Sequence, residues 1–373
     1  HTETITAVKG LTNTPSCAFP VIALLGSTYL IPSSPLHSMG SSLLQSFLLN
    51  NSRISLSPRS LLFLQFFWII PYFLVANYFE RSLLFLRLSC YTQSDLLSDA
   101  DYSNSTPECV HKLFEGQRSG DEECTVKDNL DFLIVPRLPS YSFDTVIVVR
   151  SAPKARDYRD YIRRTWMKDT EGYAPVVFVV AKGADLTKES EEHGDILLLN
   201  FTDSYYVLSK KMTGTYKWFL SLPHSPTKLV ITNDDVVLNT KNLQDLPVPS
   251  AESPWIVGKV SRGYPRIIFP WLPWFVSNTE YPQLCYPKFV QGSSMVVSRP
   301  AASLLLDRSC DIPLLRLDDV WMGALSLCLP FKQIHREGFD VHWPDQFFVV
   351  FHHQFERYSP DRLEQLYERS RLS

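Results

Sequence analysis

The run Val230-Ile-Thr-Asn-Asp-Asp-Val-Val-Leu-Asn239 closes an apolar strand on two adjacent carboxylates, Asp234 and Asp235. Charges seldom end a buried strand without a partner, because desolvating an unpaired carboxylate is costly. A hard divalent cation bridging to a diphosphate is one such partner, since oxygen ligands suit Mg²⁺ and Mn²⁺. A solvated turn with an Asx-type hydrogen bond is the plainer alternative for two acidic residues taken alone.

The elements that must hold this pair become legible from Phe143 onward. Thr145 to Val149 and Val176 to Val180 are β-branched runs of strand length, uninterrupted by polar residues, as suits parallel strands covered on both faces. Between them Asp157 to Trp166 reads as a helix; Asp195 to Phe201 is a further strand and Val207 to Leu222 a second helix. Lys228 to Thr232 is the next strand and ends at the acidic pair. This alternation predicts an α/β domain with a mainly parallel central sheet. Ligands of such sheets bind at the carboxyl ends of the strands, where Asn233, Asp234 and Asp235 stand.

Composition narrows the class. Of 373 residues, 45% are hydrophobic and 20% charged, which suits a packed core rather than disorder. A net charge of −3 without a basic stripe gives no reason to expect nucleic acid. Residues 1–60 hold only Glu3, Lys9, Arg53 and Arg59 as charges and are assigned no function. The chain opens on His1 rather than Met, which leaves its true amino terminus open.

Residues 61–79 (LLFLQFFWIIPYFLVANYF) carry no charge and have the length of a membrane-crossing helix, with Trp68, Tyr72 and Tyr78 suited to its interfaces. A signal anchor is expected there, followed by a stem over 80–140 and a globular domain over 141–373. Sequons at Asn104 and Asn200 lie beyond this span and one at Asn50 before it, and the first two fit a lumenal side for the domain. Seven cysteines without a CxxC spacing indicate bridges rather than zinc, with Cys109 and Cys124 able to close a loop and Cys285, Cys310 and Cys328 able to supply another.

Six stretches occur in an order that resembles glycosyltransferase family 31, the β-1,3-galactosyl- and β-1,3-N-acetylglucosaminyltransferases. They are Arg159-Asp-Tyr-Ile-Arg-Arg-Thr-Trp166, His193-Gly-Asp-Ile196, Asp203 to Lys211 with Trp218, Thr232-Asn-Asp-Asp-Val236, Tyr286 to Gly292, and Asp318-Asp-Val-Trp-Met-Gly323. The resemblance covers about residues 143–355. Three positions depart from the family pattern: Asn233 stands where it has an acid, Ile231 where it has Lys, and Val207 where it has Asn. These departures leave open a second reading, a non-catalytic relative that binds glycans or nucleotides as a partner.

The resemblance implies a GT-A-like fold and transfer of galactose or N-acetylglucosamine from a UDP-sugar to a sugar hydroxyl, with inversion. The acceptor would be a glycan, glycoprotein or glycolipid, and the setting a Golgi membrane with the domain in the lumen. It implies Mn²⁺, held by Asp235 with His352 or His353, to stabilise charge on the departing diphosphate. Asp319 takes the place of the general base. Arg159, Arg163, Lys211, Asn233 and Asp234 become candidates for donor contacts, since Arg suits bidentate phosphate binding. Trp255, Gly292 and Asp318 become candidates for the sugar pocket. Asp318 also suits a helix cap, and the aromatic residues after 250 also suit a core.

Overall fold

The computed structural model describes residues 86–90, 113–114, 130–270, 274–330, 332–353 and 356–371. The apolar stretch 61–79 and the Cys109–Cys124 pair lie outside them. Among the described residues no helix is long and apolar enough to cross a membrane.

An eight-stranded sheet organises the domain, in the order β1-β4-β3-β2-β5-β8-β7-β9. Its strands are β1 (Phe132–Ile134), β2 (Thr145–Arg150), β3 (Val176–Lys182), β4 (Ile196–Thr202), β5 (Lys228–Asn233), β7 (Trp255–Ser261), β8 (Phe289–Ser298) and β9 (Lys332–His335). The strands foreseen from the β-branched runs are β2 to β5, all mutually parallel. Parallel order holds there and again between β7 and β9. β8 runs antiparallel to both β5 and β7, and β1 antiparallel to β4, so the sheet is mixed. Strand–helix alternation stops after β5, and with it the pattern from which parallel order can be read.

Successive side chains of a strand point to opposite faces, so a wholly apolar strand feeds two cores. Val146 and Val148 pack with Val177, Val179, Leu229 and Ile231 on one face. Ile147 and Val149 pack with Phe178, Val180 and Val230 on the other. The first face is covered by α3 (Leu208–Leu220), α5 (Arg299–Asp307) and α6 (Asp318–Leu327); α1 (Arg156–Arg164) and α7 (Pro360–Arg371) pack together beside the second. Two further helices are α2 (Thr187–His193) and α4 (Thr240–Gln244). Two glycines set the close approaches on the first face. A Cβ on Gly214 would meet Leu199 at 3.0 Å, and one on Gly323 would lie 2.5 Å from Phe289, so α3 and α6 seat directly on β4 and β8.

Parts of the segment read as a stem belong to this packing. Phe114 lies edge-on to Tyr281, with 5.6 Å between ring centroids, and is buried with Leu113 in the first core. Cys90 is buried and bonded to Cys285. Cys310 and Cys328 are disulfide-bonded too, so Cys285 does not pair with either of them as the sequence allowed.

A two-stranded ribbon completes the frame: β6 (Val236–Leu238) runs antiparallel to β10 (Val350–His352), with His352 opposite Val236. That register decides which histidine reaches the acidic pair.

Candidate active site

The carboxyl ends of β2 and β5 stand side by side, with Arg150 directly across from Asn233. Arg150 is buried and engages through both terminal nitrogens, its Nε being left without a partner. It pairs with Asp318 at the start of α6, donates to the Gly292 carbonyl, and donates to Asn233 Oδ1 at 2.7 Å. One guanidinium thus ties together the ends of β2 and β5, the middle of β8 and the first turn of α6. Sequence reading passed over Arg150, although a charge closing the apolar run TVIVV is the same signal that singled out Asp234 and Asp235.

Asp319 follows Asp318 and turns the other way. Its Oδ2 accepts from the Gly292 N–H at 3.1 Å and its Oδ1 from the Val320 N–H at 2.8 Å. Burial pushes this carboxyl up to about 7, reinforced by the charge of Asp318. A Cβ on Gly292 would come within 3.3 Å of Asp319 Oδ2, so glycine is what lets the backbone cradle this group. Asp318 does not cap α6; the residue ahead of the helix is Leu317, without a side-chain cap.

On the other side, Asp234 is buried and accepts from Ser151 Oγ at 2.8 Å and from Arg357 at 2.7 Å. Burial raises its carboxyl to about 6, against the pull of Arg357. Asp235 lies 3.7 Å from His352 Nε2, and its Oδ1 is buried without a hydrogen-bond partner. The opposite ring nitrogen, Nδ1, pairs with Asp340 Oδ1 at 2.8 Å. Burial would lower the His352 pKa, but Asp340 and Asp235 raise it on balance. A carboxylate that fixes the imidazole and turns its second nitrogen outward is the arrangement that supports metal-ligating histidines. Among the described residues no group of three or more His, Cys, Asp and Glu gathers as a metal site. Asp235 and His352 do form a two-residue donor set with an unsatisfied oxygen, which fits a cation completed by substrate oxygens.

Several expectations are corrected by these contacts. Arg159 is wholly buried and spent on Glu189 (2.7 Å), Ser151 and the Ala152 carbonyl, so it shapes the loop after β2 rather than meeting a donor. Arg163 grips Asp195 with two bonds of 2.8 Å and also pairs with Asp160 and Glu189. Asp195 precedes β4, so Arg163 serves the opposite end of the sheet from Asp234 and Asp235. Trp255 opens β7, buried, its indole N–H donating to Ser250; β8 meets it near Val297, far along the strand from Gly292. It is a core residue. His353 stacks on Tyr358 at 4.6 Å while His352 alone faces Asp235. Lys211 stays beside the site, paired with Asp203 at 2.7 Å and donating to the Ser151 carbonyl. Asp340 and Arg357 were not foreseen, being isolated charges in aromatic surroundings without a motif.

Known proteins are similar to this chain in sequence. The galactosyltransferase family model matches residues 157–337. Beta-1,3-galactosyltransferase 5 of Homo sapiens is 30% identical over 213 residues, covering 54% of this chain and 67% of that protein. The Pan paniscus protein of the same name is 30% identical, with 69% of its length covered. Lactosylceramide 1,3-N-acetyl-beta-D-glucosaminyltransferase A of Xenopus laevis is 30% identical over 48% of this chain and 53% of its own length. A solved galactosyltransferase with donor and acceptor sugar analogues aligns at 8% identity and a TM-score of 0.34, covering 60% of this chain and 95% of its own, too low a likeness to bear on the fold. By motif order, family model and relatives together, the chain belongs to the galactosyltransferases of glycosyltransferase family 31 and is a hexosyltransferase.

Proposed function

We propose that the protein moves galactose or N-acetylglucosamine from a UDP-sugar to a hydroxyl of an acceptor sugar, forming a β-1,3 linkage with inversion. The observation that carries the chemistry is Asp319, a carboxylate cradled by the Gly292 N–H and held near neutrality by burial. In its ionised form it accepts the proton of the incoming hydroxyl as that oxygen bonds the anomeric carbon and the bond to the diphosphate breaks. Its basicity is matched to this task, because a group titrating near working pH is both ionised and able to hold a proton.

Asp235 and His352 would hold a divalent cation such as Mn²⁺. When bound, that ion supplies Lewis-acid stabilisation to the leaving diphosphate. Asp340 holds the imidazole in place, and Arg357 lies against both carboxylates, bonded to Asp234 at 2.7 Å and 3.9 Å from Asp235. Asn233 supplies the oxygen that Arg150 requires, so losing a carboxylate at this position leaves the bridge across the site intact.

The same reading sets the protein in a Golgi membrane by residues 61–79, as a type II protein with its enzymatic domain in the lumen, acting on glycoprotein or glycolipid glycans. What supports it is the uncharged stretch and the sequons beyond it. A donor screen with UDP-galactose, UDP-N-acetylglucosamine and UDP-glucose in Mn²⁺ tests the activity. Transfer or slow donor hydrolysis with one of them supports it. UDP binding with no turnover of any donor favours the non-catalytic reading that Asn233, Ile231 and Val207 raise.

A further inference from the structure

Trp274 has a backbone conformation that large side chains avoid. Its φ is +62°, in the left-handed region where a Cβ crowds the backbone, yet 42% of the residue is exposed. Burial of the indole therefore does not compensate the strain. Such outliers persist where surrounding contacts over-determine them and where a function uses them. The contacts are present. Tyr205 lies within interaction range of the Trp274 indole and itself remains 47% exposed. Next to them, the Arg316 guanidinium lies 4.8 Å above the Tyr206 ring and 5.6 Å from the Phe275 ring. Arg316 is held in turn by two bonds to Glu280, at 2.8 and 2.7 Å. Two loops, one ahead of α3 and one ahead of β8, are thereby clamped together with two aromatic faces left open.

The location is informative. Arg316, on which Tyr206 and Phe275 converge, stands three residues ahead of Asp319 at the start of α6, so this open aromatic pair borders the base rather than the acidic pair at the end of β5. A ring with a polar edge and an apolar face suits a pyranose, whose C–H groups pack on aromatic planes while its hydroxyls stay hydrated.

We infer that Trp274 is a specificity-determining residue that stacks against the acceptor pyranose and presents its hydroxyl to Asp319, with Tyr205 as the positioning residue that holds the indole. This rests on the transferase reading for the role of Asp319, but the stacking itself does not.

The experiment uses the full chain with a panel of galactosides and N-acetylglucosaminides. In the best transfer assay, Trp274→Ala is expected to raise the acceptor KM at least tenfold while the donor KM moves less than twofold. Trp274→Phe should recover most of that loss, and Tyr205→Phe should raise the acceptor KM about threefold by releasing the indole. Trp274→Gly relieves the backbone and should not lower Tm, whereas an indole that only stabilised the loops would. Binding is followed separately by quenching of tryptophan fluorescence with the same saccharides and no donor. If the parent binds a pyranoside through Trp274 but turns over no donor, stacking stands and the transferase reading falls. If the parent transfers sugar and Trp274→Ala leaves the acceptor KM unchanged, the inference is overturned and the transferase reading stands.

Discussion

Asp319 and Asp235 occupy different electrostatic settings, and their substitutions should fail differently. Asp319→Asn keeps the shape and its hydrogen bond from Gly292 but cannot take a proton, so transfer should fall by about 10²–10⁴-fold with UDP binding retained. Because burial holds this carboxyl up at about 7, kcat/KM should rise with pH through that region in the parent enzyme. The sign for stability is opposite. A raised acid favours the fold while protonated and costs stability once ionised, so Asp319→Asn should raise Tm more at pH 8 than at pH 5. Asp235→Asn should instead abolish Mn²⁺-dependent UDP binding, measured by calorimetry. Asp340→Asn, which touches His352 and Lys259 but not Asp235, should weaken that binding by about 10–100-fold. Equal loss of binding in Asp319→Asn and Asp235→Asn would contradict the separation of roles.

At the scale of elements, the arginines of α1 act as struts. Glu189 on α2 is buried between Arg159 and Arg163; burial alone would raise its carboxyl, but the two guanidiniums hold it down at about 2. Its contribution is present above the ordinary value near 4.5 and lost as pH falls from there toward 2. Glu189→Gln leaves the buried Arg159 without its carboxylate and takes one of three from Arg163, and should cost about 3–5 kcal/mol in urea unfolding at pH 7, with most of that difference gone near pH 2. The motif Arg159 to Trp166 was legible in the sequence, but its charges were assigned to the ligand. Helical spacing shows which residues share a face, yet not that α2 delivers a carboxylate to that face. The β6–β10 register is similar: the sequence offered two adjacent histidines, and only the pairing of His352 with Val236 selects one.

Across the whole molecule, the Cys90–Cys285 bridge closes a separation of 195 residues and ties the segment before the sheet to the turn ahead of β8. Restricting so long a loop in the unfolded chain is worth about 2–5 kcal/mol. The double substitution Cys90→Ser, Cys285→Ser should lower Tm clearly under oxidising conditions and remove the response of Tm to reductant at this pair. A Tm unchanged by the double substitution would show that packing of Phe114 on Tyr281 suffices to hold the segment.

The amino-acid sequence by itself determined the parallel half of the sheet, because uninterrupted β-branched runs can be buried only between two covering layers. It also determined the acidic pair at the end of β5 and the motif order that marks the family. Tertiary structure alone decided how distant charges pair, since pairing depends on which strand ends meet. Arg150 reaches Asn233, Gly292 and Asp318 across 83 to 168 residues of sequence, a distance at which local periodicity carries no information.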